Sequence, residues 1–489
     1  MWYHLSKIEY FYTHDTSLLN VKNKELWSYI WGNLFQLFHI EDVLLRAKIV
    51  HVIQTLVSFF VIFFTSKVFI QNIFKKIDML IVNYLALWST IIWFTIFATF
   101  SVAYHQVWIM WYSINYQITL LIFWYLVAIS ILFVTRNNSK KISIFYIVQI
   151  LFFSIIILWM HAIEFIYYIM YLILICIVYW RQLVWGLKQY YVQITIAALS
   201  LFSAFYYFLT HHFIYREPKL FKYLSLDVGQ LYSKIVSIGK YQVENLSRSF
   251  ASLNELIYFS IFLILAMVLT KAYFYYKEAD DNVDIKMLIL IFISSLFVFV
   301  PVINFTFGLA SMLVDVWYVN RFYYASSIFI VLPIVVYYFI QLTTHKQILL
   351  KTNIIILLIL LTVYFYSKHI SQSSNYYKNI ISIINSFSKE KVGLNYSTDY
   401  INIIDNELTK YEKKYQNQKV LYYARGDIAY ILQYILKKDN VYMNRRHTYT
   451  YEEFLQYCKH HNVVPVVFKT PENFPKDELI FKYFDFDMK

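Results

Sequence analysis

Ten apolar runs, each close to the roughly 20 residues a helix needs to cross a bilayer, fill most of the chain before residue 370. They fall at 49–70, 78–99, 111–134, 143–160, 163–180, 190–209, 256–275, 287–306, 323–342 and 353–369. The first reads IVHVIQTLVSFFVIFFTSKVFI and the last NIIILLILLTVYFYSKH. The fourth and fifth, separated by His161 and Ala162 alone, read as a tight helical hairpin. Chains patterned this way cross membranes as helices, because only helices and closed barrels satisfy their own backbone polar groups in lipid. The expected fold is therefore an all-α polytopic membrane protein of about ten transmembrane helices.

Composition agrees. Of 489 residues, 60% are apolar and 15% charged, against about 25% charged in an ordinary soluble domain. Seven glycines leave no GxGxxG and no GxxxxGK[ST] anywhere, so the common nucleotide-binding loops are excluded. Cys176 lies in an apolar run and Cys458 in the polar tail. Two isolated cysteines build no metal site and argue against a disulfide.

A net charge of +13 suggests a nucleic-acid partner only until the charges are placed. Five short loops hold twelve basic residues: Lys75 and Lys76; Arg136, Lys140 and Lys141; Arg181 and Lys188; Lys271, Lys277 and Lys286; Lys346 and Lys351. The intervening 100–110 and 161–162 turns have none, and the 307–322 loop has Arg321 alone. By the positive-inside rule the basic loops face the cytoplasm. The 210–255 loop and both termini then lie outside, on a protein of the cell inner (plasma) membrane. The basic excess reflects the codon bias of an AT-rich genome and attraction of basic loops to membrane lipids, and no nucleic acid is expected.

From 370 onward the texture changes. The last 120 residues carry 31 of the 73 charged residues. Strand patterns at 419–424, 440–444, 463–468 and 479–485 alternate with helical patterns at 427–438 and 450–461, after helical stretches at 373–388 and 398–416. This predicts a small C-terminal extracytoplasmic α/β domain over 370–489. The division is completed by a transmembrane body over 48–369 and an extracytoplasmic loop over 1–47. Within that loop 26–38, LWSYIWGNLFQLF, sets Trp27, Ile30, Trp31, Leu34 and Leu37 at helical spacing. Two readings fit: a helix lying in the membrane interface and a helix packed on the protein.

Four constellations could carry chemistry. Asp15, within Thr13-His14-Asp15-Thr16, offers a carboxylate at a water–membrane boundary. There it could be a general base or a ligand for a divalent cation, or merely a helix cap. His161 and Glu164, three apart, share a helical face at the outer turn. An unpaired Glu164 would suit acid–base work, and the alternative is a Glu that caps the helix and bonds to His161. His211, His212, Arg216 and Glu217 open the long outer loop, and Arg321 starts the ninth run. The arginine fork suits a phosphate or pyrophosphate, whereas headgroup snorkelling or an Asp315–Arg321 pair is the plainer role. The His pair lacks the third ligand a metal site needs. Finally, Arg425-Gly426-Asp427 and Arg445-Arg446-His447 each follow a strand, the edge where α/β layers bind ligands, although surface salt bridging also accounts for them.

The layout resembles the GT-C superfamily of polyprenyl-phosphate-sugar-dependent glycosyltransferases. The stretch LWSYIWGNLFQLFHIEDVLLR, Leu26 to Arg46, is similar to that family's first outer loop: an aromatic-rich helix, then entry into the next span. His39 stands where that pattern often has Gly. The resemblance implies a membrane glycosyltransferase that moves a sugar from a lipid-linked donor to an envelope glycan, lipid or protein acceptor. It also implies an acidic residue in the first outer loop, for which Asp15 is the match, with Glu164 matching a second by location only. The family places a spanning helix before that loop. This sequence begins at Met1 without one, so the resemblance implies either an apolar run of about 20 residues encoded in frame just upstream, which is the expectation, or a reduced member of the family that has lost activity. Two other classes compete. A transporter or flippase of an envelope lipid or glycan would show broken spans and repeated halves; only Pro301 and Pro333 interrupt the runs, and no repeat is visible. An assembly protein would use its soluble tail to recruit a partner.

Overall fold

The computed structural model describes residues 2–13, 17–18, 21, 25–74, 77–99, 115–135, 140–211, 226–249, 284–301, 303–313, 319–342, 391–392, 396–416, 418–425, 428–429, 431–432, 436, 438, 440–444 and 451–467. The expected runs at 256–275 and 353–369, the 373–388 helix and the 479–485 strand lie outside these residues. So does most of the 427–438 helix.

Helices dominate. The N-terminal pair is α1 (Trp2–Thr13) and α2 (Leu26–Leu37). The body contains α3 (Val43–Ile73), α4 (Met79–Thr99), α5 (Asn115–Thr135), α6 (Lys140–Met160), α7 (Ala162–Val178) and α8 (Trp180–His211). After these come α9 (Val228–Ser249), α10 (Ile285–Ser295), α11 (Asn304–Leu313) and α12 (Ile328–Leu342). Among the described residues, three helical stretches are long and apolar enough to cross a membrane: Val52–Ile73, Ile118–Thr135 and Ile142–Met160. Shorter apolar stretches occur at Met79–Trp93, Ile163–Val178 and Ile285–Ser295.

The centre is α5. Phe123, Trp124, Leu126, Val127 and Ala128 are wholly buried, because α3, α6, α7 and α8 surround that helix. A helix apolar on all sides requires such an environment. The stiff apolar stem of α3 is longer than its membrane-length window. Its first turns, 43–51, precede the Val52–Ile73 stretch and carry Arg46.

Contacts define two ends of the bundle. The Asp284 amide donates to the Ile73 carbonyl at 2.7 Å. Lys286 Nζ reaches Gln182 Oε1 at 3.2 Å, and the rings of Phe133 and Tyr190 lie 6.4 Å apart. The C-termini of α3, α5 and α7 therefore meet the N-termini of α8 and α10 at one end, together with Arg181, Lys188 and Lys286. At the opposite end lie the start of α3, the start of α5, the α6–α7 turn and the α1–α2 pair, whose α2 packs on α5 and α6.

Three sequence expectations are corrected. The expected 287–306 span is not one helix. α10 stops at Ser295, a 3-10 turn covers Leu296–Phe299, and α11 begins at Asn304. Pro301 lies within this break and has no N–H to carry the helical hydrogen bond onward, while Val300 before it keeps helical angles of φ −54° and ψ −46°. The 210–255 stretch, read as loop, contains the 22-residue α9, which packs on α11. An ideal Cβ on Gly239 would lie 1.7 Å from the Asn304 carbonyl oxygen, and one on Gly308 would lie 1.9 Å from that of Ile235. The two backbones touch where both residues lack side chains. Lastly, 2–13 forms a helix that no periodicity argument picked out.

In the C-terminal region β1 (Lys391–Val392) pairs with β2 (Tyr396–Ser397) ahead of α13 (Thr398–Lys414). Then β3 (Val420–Arg425), β4 (Val441–Asn444) and β5 (Val464–Val467) form a parallel sheet of order β4-β3-β5. α14 (Tyr451–His460) precedes β5. Strand side chains alternate between faces. Tyr422 accordingly meets Tyr411 of α13, ring centroids 6.4 Å apart, while Tyr423 meets Phe454 of α14 at 4.9 Å.

Candidate functional site

The α1–α2 end of the bundle gathers the described residues with chemical potential. There α6 ends at Met160 and α7 restarts at Ala162, with His161 extended between them at φ −164°. Glu164 sits in the first turn of α7, so its carboxylate faces the positive end of the helix dipole. His161 Nδ1 and Glu164 Oε2 are hydrogen-bonded, and both side chains are buried. Spacing along the helix fixes this pair, as the sequence suggested. The observed state is the bonded one, not a lone carboxylate. A carboxylate on Nδ1 orients the imidazole and assigns proton handling to Nε2, the logic of a carboxylate–histidine dyad.

Arg321 belongs to a 3-10 segment, Asn320–Ala325, between α11 and α12. Its neighbour Phe322 packs edge-on against Tyr167, ring centroids 4.8 Å apart, one turn beyond Glu164. Tyr171, a turn further, donates to the Ala325 carbonyl at 2.7 Å. The Arg321 backbone is thus held beside the first turns of α7.

A second polar pair was missed by sequence reading. Glu9 of α1, 4% exposed, accepts from Arg46 Nη2 of α3, 2% exposed. Arg46 Nη1 also donates to the Ile40 carbonyl at 2.8 Å, and its guanidinium lies 3.9 Å from the centre of the Tyr12 ring. Glu9 stands on α1, whose sequence carries no clear helical periodicity to mark it. The joint between α2 and α3 is shaped by His39, which adopts φ 52°. The Ile40 amide donates to the Phe35 carbonyl at 3.0 Å and the His39 amide to Gln36 at 3.2 Å, a Schellman closure that normally places Gly at this position.

α2 packs one face on the protein and leaves the other outward. Trp31, Gly32 and Phe35 are buried, and a Cβ on Gly32 would lie 2.6 Å from Phe11 Cβ. Ile30, Leu34 and Leu37 face outward, Leu37 being 69% exposed. The predicted stripe is therefore divided between protein and surroundings.

Asp15, His212, Arg216 and Arg445 lie outside the described residues. Arg425 ends β3, opposite Asn444 of β4, in the parallel sheet. Among the described residues no three His, Cys, Asp or Glu side chains group as metal ligands. No protein-family model, curated protein or solved structure matches the chain.

Proposed function

We propose that this chain is an integral membrane glycosyltransferase-like protein that moves a sugar from a polyprenyl-phosphate donor to an envelope acceptor at the α1–α2 end. In this reading the body crosses the membrane about ten times. Arg181, Lys188 and Lys286 mark its cytoplasmic end by the positive-inside rule, and the α/β sheet lies outside. The observation that carries the proposal is the buried His161–Glu164 pair at the start of α7, with the Arg321 segment alongside.

The chemistry follows from that arrangement. Glu164 holds the imidazole of His161, whose Nε2 takes the proton from the acceptor hydroxyl as it attacks the anomeric carbon. The polyprenyl phosphate leaves with the bonding electrons, and Arg321 counters its charge. Asp15 is the candidate for a second carboxylate, as base or as ligand of a divalent cation. The test is transfer by purified protein from a panel of polyprenyl-phosphate sugars. Glu164→Gln and His161→Gln should each lower turnover by about 10²–10⁴-fold with the fold retained. Unchanged turnover in both variants would remove the dyad from the mechanism.

One observation favours a second reading, transport. α10 and α12 are interrupted helices whose broken ends meet, with Ser294 Oγ 2.6 Å from Ser327 Oγ and Ser326 donating to the Ser295 carbonyl at 2.9 Å. Discontinuous helices of this kind line substrate paths in transporters. Uptake or flipping of a labelled lipid-linked sugar into proteoliposomes, without transfer, would support it.

A further inference from the structure

The parallel sheet of the C-terminal region has the strand order β4-β3-β5. Chain order across it is therefore second, first, third. Crossovers between parallel strands are right-handed. A step one way from β3 to β4, then a return past β3 to β5, puts the two connections on opposite faces. The packing agrees. Ala429, Ile431 and Leu432, between β3 and β4, are buried in the core that holds Tyr422 and Ala424. Phe454 and Cys458 of α14, between β4 and β5, cluster with Tyr423 on the other face. Open parallel sheets bind ligands outside the carboxyl ends of their strands, at the point where strand order reverses. In this sheet that point lies between β3 and β5.

β3 ends there in a cation. Ala424 and Arg425 extend beyond Tyr423–Val467, the last described pair with β5, and Arg425 is level with Asn444, the last residue of β4. Charge along the chain favours the same edge. In the last residue of each strand and the three that follow it, Arg425, Arg445, Arg446 and Lys469 are set against one acid, Asp427. Arg445, Arg446 and Lys469 lie outside the described residues and count here by sequence alone. The equivalent stretches at the amino ends hold Lys419 and Lys438 against Asp439, and Lys438 is already paired with Glu412 at 2.7 Å. An arginine at a strand end brings a planar fork of N–H donors, the geometry that phosphate oxygens accept.

We propose that the carboxyl edge of this sheet, at the reversal between β3 and β5 and anchored on Arg425, binds a phosphate or pyrophosphate group. That group belongs to a soluble phosphate ester or to a lipid headgroup, whose oxygens are alike. Binding there requires no chemistry at His161 or Glu164.

The full chain is purified in a maltoside detergent without phosphate. It is titrated calorimetrically with inorganic pyrophosphate at near-physiological ionic strength, where attraction by exposed cations is screened. Saturable binding is expected. Arg425→Gln should weaken it about tenfold or more, through loss of charge-assisted hydrogen bonds. Lys419→Gln removes the same charge from an exposed position just before β3, and it should change affinity by less than about twofold. Equal weakening in both variants would show general attraction to charge and would overturn the site. Undiminished binding in Arg425→Gln, or no saturable binding by the wild type, would overturn it too. If Arg425→Gln does not fold, phenylglyoxal modification of the wild-type chain decides the matter. Pyrophosphate should slow the reaction of Arg425, read by peptide mass spectrometry, and an unslowed reaction would contradict the site. Phosphatidylglycerol added to the micelles separates the two sources. Competition with pyrophosphate assigns a lipid headgroup and unaffected binding assigns a soluble ester, and either result supports the site.

Discussion

Arg46 connects three elements through one guanidinium: Glu9 of α1, the Ile40 carbonyl after α2, and its own helix α3. With both charges buried, removing one partner leaves the other stranded. Arg46→Met should cost about 3–5 kcal/mol, read as a fall in the thermal midpoint, and the double variant Glu9→Leu/Arg46→Met should recover part of that loss. Equal midpoints for the single and double variants would show the two charges to be uncoupled. His39 holds a left-handed conformation that costs an L residue about 1–2 kcal/mol. His39→Gly should therefore add on the order of 1 kcal/mol of stability, read as a rise in the thermal midpoint. The His161–Glu164 pair was legible from the sequence because spacing of three fixes a helical neighbour. The Glu9–Arg46 pair was not, because its members are 37 residues apart and meet only once α1 folds onto α2.

At the level of elements, glycine marks where helices touch. Gly239→Ala or Gly308→Ala should separate α9 from α11, since the added carbon meets backbone and not a movable side chain. Faster amide hydrogen exchange across 228–240 would report it, and unchanged protection would contradict the packing. In the C-terminal region, burial pushes the thiol of Cys458 on α14 and the phenol of Tyr422 on β3 above their ordinary values of 9.0 and 10.0. The folded state thus keeps protons that the unfolded chain releases. The contribution of these two groups to stability should be constant below about pH 8.5 and decline as pH rises past it. Maleimide labelling of Cys458 should lag an exposed thiol at pH 8, and reaction at the rate of an exposed thiol would count against its burial. The strands at 420–425, 441–444 and 464–467 were readable because short apolar runs flanked by polar ones have few other uses. The α10 break was hidden, since an apolar run carries the same composition whether continuous or interrupted, and Pro301 alone signalled it.

At the scale of the molecule, the described residues place two sets of polar groups at opposite ends of the helical body. Arg181, Lys188 and Lys286 meet where α3, α5 and α7 finish, while His161–Glu164 and Glu9–Arg46 lie where those helices begin. Composition made the helical character plain. Which residues converge at the working end depended on how α1 and α2 dock, which no periodicity records. The proposal as a whole requires that working end to face outward. Single cysteines are placed in a Cys176→Ser/Cys458→Ser background and probed in intact cells with a membrane-impermeant maleimide that can pass any outer membrane. Cysteines in 210–255 and 400–489 should be labelled, and those in 136–141 should label only after lysis. Labelling of 136–141 in intact cells with protection of 210–255 and 400–489 would contradict the account.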